Sequence, residues 1–240
     1  MKPGIVLQAR LDSTRLPGKA LMDLRGEPMI CRVMEALNRI PSGVRVLACP
    51  ENCLGIFGPL AERAGFEIFG GPEDDVLGRY CGAIRRFGID RVIRATGDNP
   101  FVFTDAARTL NAEAEKLDAA YAGYAGLPPG AGVESVKSEA LFRAEREAED
   151  GPAREHVCPY LYTHPELFTL HRPLAPLIWQ GPDMRLTVDT GEDFDRACLL
   201  YDALSRSAED RRYSGAEIKR VYRQTAMSEA ALRASIKAGA

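Results

Sequence analysis

The sequence predicts an α/β protein: a mostly parallel central sheet with helices on both faces. Three observations predict it. Short apolar runs alternate with amphipathic stretches through the first half of the 240-residue chain. The connections between them are only a few residues long, as βα and αβ joints are. Proline or glycine stands where a helix should start or stop, at Pro28, Gly65 and Gly88.

The elements follow in order. Residues 4–9 are an apolar run and read as a buried strand. Residues 28–39 read as a helix, because Met29, Val33, Ala36 and Leu37 recur at helical spacing and Pro28 suits the first turn. Then come a strand at 44–48, a helix at 54–64, a short strand at 67–69, a helix at 75–87 and a strand at 91–95. The turn Thr96-Gly97-Asp98-Asn99-Pro100 leads to a helix at 104–116, with Thr104 as its N-cap.

The second half is less regular. Strands are expected at 119–122, 133–136, 167–171 and 185–188, and helices at 138–149, 191–204 and 214–223. A helical stretch at 153–163 should break or kink at Pro159. Residues 123–132 hold four glycines and two prolines and read as a mobile loop over a site. The alanine-rich tail, 225–240, reads as a docking helix or a frayed end. No internal repeat is present.

Bulk composition narrows the function. Hydrophobic residues at 45% and charged residues at 27% are ordinary for a globular chain. With 31 basic and 34 acidic residues the net charge is −3, which argues against a general nucleic-acid binder but permits one local basic pocket. No run of ~18 apolar residues offers a membrane span. The chain reaches Arg10 before a signal-peptide core forms, so a cytoplasmic location is expected. Six cysteines are then expected as reduced thiols, and the one close pair, Cys49 and Cys53, lacks the second pair a tetrahedral zinc site needs.

In a sheet of this kind ligands sit beyond the carboxyl ends of the strands. The loop after residue 9 lies there and carries Arg10, Ser13, Thr14, Arg15, Gly18 and Lys19. Clustered cations, hydroxyls and a permissive glycine are what a triphosphate requires. The same charges also fit a solvated loop. No Gly-x-x-x-x-Gly-Lys-Ser/Thr or Gly-x-Gly-x-x-Gly pattern occurs. Asp98 and Asp189 both follow predicted strands. A Mg²⁺ ion takes one or two carboxylates plus phosphate oxygens, so each fits a metal role. Asp98 equally fits an Asx turn into Pro100, and Asp189 a helix N-cap. Arg154, Glu155 and His156 are consecutive, so on a helix at most two face one ligand. Arg154 could fork onto a ligand carboxylate and His156 donate to a hydroxyl or phosphate; a surface ion pair and a core histidine are the plainer readings. Asp75 is a candidate N-cap. Trp179, the one tryptophan, reads as a core or dimer contact.

The stretch Ala9-Arg10-Leu11-Asp12-Ser13-Thr14-Arg15-Leu16-Pro17-Gly18-Lys19-Ala20-Leu21 resembles the N-terminal signature of cytidylyltransferases that activate ulosonic and nonulosonic acid sugars, nearest the spore-coat polysaccharide (SpsF-like) branch. The likeness continues through Gly71-Pro72-Glu73-Asp74-Asp75-Val76-Leu77-Gly78-Arg79-Tyr80, Arg94-Ala95-Thr96-Gly97-Asp98-Asn99-Pro100, Arg154-Glu155-His156-Val157-Cys158-Pro159-Tyr160 and Arg185-Leu186-Thr187-Val188-Asp189-Thr190-Gly191-Glu192-Asp193. It spans residues 5 to about 205, and five ordered motifs make it specific.

The resemblance implies a Rossmann-like nucleotide-diphospho-sugar transferase (GT-A-like) fold in one domain, 1–240. Residues 1–118 would bind nucleotide, 119–205 would bind the acceptor and dimerise, and 206–240 would add C-terminal helices. It implies that CTP is joined to an anionic acceptor, with release of pyrophosphate. Ala9, Arg10, Ser13, Arg15 and Lys19 would hold the nucleotide, and Asp75 and Arg79 would lie near base or ribose. Lys19, Arg10, Asp98 and Asp189 would be catalytic, the two acids carrying Mg²⁺. Glu134, Arg154, Glu155 and His156 would face the acceptor. One departure stands out. The family's Gly-x-Asp-Val/Ala-Glu is here Gly130-Ala131-Gly132-Val133-Glu134, with Gly132 in place of the acid, so a smaller anion such as a phosphonate joins the sugar acids as an acceptor. Two rivals remain at this level: a glycosyltransferase of the same fold, whose Asp-x-Asp motif has a match only in Asp193-Phe194-Asp195 within a predicted helix, and a non-catalytic nucleotide-binding partner.

Overall fold

Strand β1 (Pro3–Gln8) lies inside a seven-stranded sheet in a computed structural model that describes residues 2–149, 151–207 and 213–238, with side chains as far as residue 226 apart from residue 207. Its neighbours are β2 (Val44–Pro50) and β4 (Arg91–Thr96), and β3 (Glu67–Gly71) pairs with β2, all in parallel. Beyond β4 the sheet turns mixed. β6 (Glu134–Lys137) runs antiparallel to β4 and to β5 (Tyr121–Ala122), and β7 (Leu170–His171) closes that side parallel to β5. The order is β3-β2-β1-β4-β6-β5-β7, in which β6 alone is reversed among the described strands.

Alternation along the strands sorts side chains to two faces. Ile5, Leu7, Leu47 and Ile93 pack under α1 (Met29–Leu37), α2 (Leu54–Arg63) and α4 (Thr104–Lys116). Val6, Val46, Ala48 and Val92 pack under α3 (Val76–Phe87), α5 (Ser138–Glu147), α6 (Gly151–His156) and α7 (Pro159–Thr163). A third cluster joins Leu186, Val188, Phe101 and Phe103 to α8 (Gly191–Ser207) and α9 (Gly215–Ala238). No described helix is long and apolar enough to cross a membrane, and all six cysteines are free thiols.

Four expectations need correction. Residues 185–188 form no strand: Leu186 and Thr187 donate instead to the carbonyl of Pro129, which has no N–H to return, so no ladder can form. Thr104 is the first helical residue rather than the cap; Phe103 holds that place without a side-chain bond. The 153–163 stretch breaks at Val157, whose φ of 72° is left-handed, and Pro159 opens the next helix. Residues 123–132 are pinned by backbone bonds from Ala125 to Pro173, Gly181 to Gly126 and Leu186 to Pro129. Gly130 has φ 91°, and a Cβ there would lie 2.3 Å from the Thr187 nitrogen. Helix α9 continues through the tail, whose side chains beyond 226 lie outside the described residues.

Candidate active site

Three chain segments meet at the carboxyl end of β1 and β4. The loop after β1 folds back on itself, with Ser13 and Gly18 both donating to the Leu11 carbonyl. Gly18 takes φ 70°, which starts the short helical turn Lys19–Leu21 and anchors it through buried Ala20. Lys19 is thereby turned inward, its side chain 13% exposed. After β4, Gly97 donates to the Gln8 carbonyl at 2.8 Å; a Cβ at 97 would come within 3.0 Å of that same oxygen. Glycine thus lets Asp98 arrive beside the loop. The third segment comes in through Val188, whose N–H donates to the Asp98 carbonyl at 2.9 Å.

The carboxylate of Asp189 faces the cleft rather than capping α8, because other groups cap the start of that helix. Asp193 N–H donates to Thr190 Oγ1 at 3.2 Å, and Asp193 Oδ2 accepts from the backbone N–H groups of Thr190 and Asp189 at 3.1 and 3.0 Å. This is a capping box with an aspartate in the third position. Burial pushes the Asp193 carboxyl up, but these bonds and Arg185 outweigh it and hold it below its ordinary value. Asp193 is therefore committed to the helix end, and Asp193-Phe194-Asp195 lies within α8.

Lys19 joins the two acids. Its Nζ donates to Asp98 Oδ2 at 3.2 Å, Asp189 Oδ1 at 3.1 Å and the Val188 carbonyl at 2.7 Å. Arg15 also reaches Asp189 Oδ1 at 3.1 Å, and Arg185 holds Asp189 Oδ2 at 2.6 Å. Thr96 donates its hydroxyl to Asp98 Oδ1 at 2.7 Å and accepts from Asn99. The surrounding cleft has a volume of about 380 Å³ and is lined by Ala9, Arg10, Ser13, Arg15, Lys19, Asp98, Glu155, His156 and Asp189 among the residues named from the sequence. Arg10 stands 3.6 Å from Glu155 across it.

A second cleft, about 320 Å³, shares Arg94 and Thr96 with the first and takes in Glu134 and Gly132. Glu134 is held by Arg94 at 2.6 Å and by the Tyr121 hydroxyl at 2.7 Å. Burial and then Glu134 push the Tyr121 phenol well above its ordinary value, so it donates as a neutral hydroxyl. The same two causes raise the Cys158 thiol, which stays protonated and is no nucleophile.

Three residues named from the sequence lie outside both clefts. Asp75 caps α3, accepting from Gly78 N–H at 2.9 Å. Arg154 binds Asp75 at 2.5 Å and the Glu145 carbonyl at 2.7 Å, so its fork is spent between α6 and α3 rather than on an acceptor. Arg79 is fully buried and holds the Pro72 carbonyl at 2.5 Å. Conversely, the sequence does not single out Arg94, Thr96, Tyr121 or Arg185. Arg94, Thr96 and Arg185 stand inside the quoted motifs, but nothing in their spacing reveals which carboxylate each one holds.

The acids suit a divalent cation: an ammonium already bridges them from two separate segments. Among the described residues no group of three or more His, Cys, Asp or Glu is placed to hold a metal ion, so phosphate oxygens would complete the shell, as Mg²⁺ prefers.

A cationic loop and two acids gathered at the carboxyl edge of a mostly parallel sheet define a nucleotidyltransferase. More particularly, the chain belongs to the cytidylyltransferase family, whose model matches residues 4–227. It is 30% identical over 203 residues to the spore coat polysaccharide biosynthesis protein SpsF of Bacillus subtilis, covering 82% of this chain and 85% of that one. Its fold matches a cytidylyltransferase from Leptospira borgpetersenii with a TM-score of 0.84 at 23% identity, covering 95% and 96% of the two chains. It also matches a CMP:2-keto-3-deoxy-manno-octonic acid synthetase in complex with CTP, with a TM-score of 0.67 at 17% identity and coverage of 87% and 100%.

Proposed function

We propose that the chain is a Mg²⁺-dependent cytidylyltransferase joining CTP to a small anionic acceptor, a sugar acid or a smaller anion such as a phosphonate. The observation that carries this reading is Lys19 held between Asp98 and Asp189 in a cleft whose other wall is the loop of Arg10, Ser13 and Arg15. The loop's cations and hydroxyl grip the triphosphate. Asp98 and Asp189 are the residues that would hold Mg²⁺, which when bound neutralises charge on the phosphoryl oxygens. An acceptor oxygen attacks the α-phosphorus, the bond to the bridging oxygen of the β-phosphate breaks, and pyrophosphate leaves with that electron pair. No protein nucleophile takes part; the residues position and stabilise.

The second cleft receives the acceptor, because it meets the first along Arg94 and Thr96. Gly132 removes a negative charge from its wall and favours an anion there. Glu155 and His156 stand on the first cleft's rim, where His156 can donate to the acceptor or a phosphate. The named relatives support CTP and a sugar acid as the first pair to try. We place the enzyme in the cytoplasm as a homodimer. The test is pyrophosphate release from CTP, ATP, GTP and UTP against a panel of sugar acids and phosphonates, with and without Mg²⁺. Release should need CTP, Mg²⁺ and an acceptor together; transfer of sugar from a preformed nucleotide sugar, with no pyrophosphate, would refute it.

A further inference from the structure

The cations of the phosphate loop are already engaged by carboxylates. Lys19 Nζ has three N–H donors, and they go to Asp98, Asp189 and the Val188 carbonyl. Arg15 lies 3.1 Å from Asp189, and Arg10 lies 3.6 Å from Glu155. With Arg185 at 2.6 Å, Asp189 sits among three cations. Two consequences follow from elementary electrostatics. Lys19 cannot serve a phosphate and keep all three partners, so a bound phosphate competes with the acids and the Val188 carbonyl for its donors. A dication approaching Asp98 and Asp189 meets Lys19 and Arg15 at contact distance, where like charges repel strongly. No described group of three acids, histidines or cysteines offers a complete shell, so the two carboxylates alone must offset that repulsion.

We propose that Lys19 and Arg15 act as internal counter-ions that close the divalent-cation site until a nucleotide's phosphates take them over. This rests on the reading of Asp98 and Asp189 as metal carboxylates. The triphosphate draws Lys19 and Arg15 off the acids and brings its own oxygens, so the cation site is assembled by the nucleotide. Lys19 thus has a gating role besides its phosphate contact. The coupling is reciprocal: whatever factor nucleotide adds to cation affinity, the cation adds to nucleotide affinity.

The experiment titrates Mn²⁺ alone, followed by electron paramagnetic resonance, into wild-type protein, Lys19→Gln and Arg15→Gln without nucleotide. Lys19→Gln should bind Mn²⁺ at least ~10-fold more tightly than wild type. Arg15→Gln should gain about threefold, less at high salt, because its side chain is 64% exposed. Arg15→Gln also keeps the test decisive if loss of the Val188 contact unfolds Lys19→Gln. A parallel titration with CTP present, read by water-proton relaxation, should show Mn²⁺ joining the wild-type complex but not Asp98→Asn. Equal Mn²⁺ affinity of wild type and both variants without nucleotide overturns the gating and leaves the metal carboxylates standing. Failure of Mn²⁺ to join the CTP complex overturns both.

Discussion

Thr96 and Arg185 do for the two acids what the acids cannot do alone. Each takes one carboxylate oxygen, Thr96 on Asp98 at 2.7 Å and Arg185 on Asp189 at 2.6 Å, and leaves the other facing Lys19. A ligand whose second oxygen is fixed loses little freedom when it binds. Thr96→Val keeps the shape and removes the hydroxyl. It should weaken Mn²⁺ binding to the CTP complex by about 10–100-fold while circular dichroism stays as in wild type. Asp98→Asn should cut pyrophosphate release by about 10³-fold while circular dichroism stays as in wild type. A fully active Asp98→Asn would remove the metal assignment.

At the scale of the element, α8 shows how a helix end serves a site. Thr190 and Asp193 close the capping box, and Asp193 also takes Arg185 at 3.2 Å and Arg196 at 3.2 Å. Asp193→Ala should cost about 1–2 kcal/mol, read as a lower melting temperature. Its carboxyl is held below its ordinary value, so the stability it adds is full above the unfolded value and is lost as pH falls through the folded one. The melting-temperature gap between wild type and Asp193→Ala should therefore narrow as pH falls below the unfolded carboxyl value of about 3.9; a gap that widens as the pH is lowered would contradict the linkage. Elements also explain what could be read in advance. The β1 loop was legible because Arg10 to Lys19 is one contiguous stretch behind an apolar strand. Asp98 was legible as the acid just past a strand, whereas Asp189 was expected at the end of a strand that 185–188 does not form. Arg94 and Glu134 meet only through the β4–β6 register, which pairs them directly, and no local pattern shows that. Arg154 is turned to α3 and the end of α5 by Asp75 and the Glu145 carbonyl, partners 79 and 9 residues away that no local pattern shows.

For the whole molecule, the surface that remains to be explained is apolar. Leu174, Leu177 and Ile178 are 64%, 83% and 57% exposed, three of the seven large exposed hydrophobics among the described residues, and they fall within five positions. Their backbone is firmly held. Ala175 donates to the Ala125 carbonyl, and the Lys219 ammonium donates to the carbonyls of Leu177 and Ile178. A rigid apolar patch of this kind fits a second copy of the chain, in line with the dimer we propose. The patch is backed by residues 123–132, several of which line the second cleft and none the first. A change there should therefore reach the acceptor before it reaches CTP. Leu177→Asp combined with Ile178→Asp should give monomers in sedimentation equilibrium, raise the acceptor KM by about tenfold and leave the CTP KM near wild type. A wild-type protein that sediments as a monomer would remove the dimer. A dimer whose disruption shifts both KM values equally would separate the patch from the acceptor cleft.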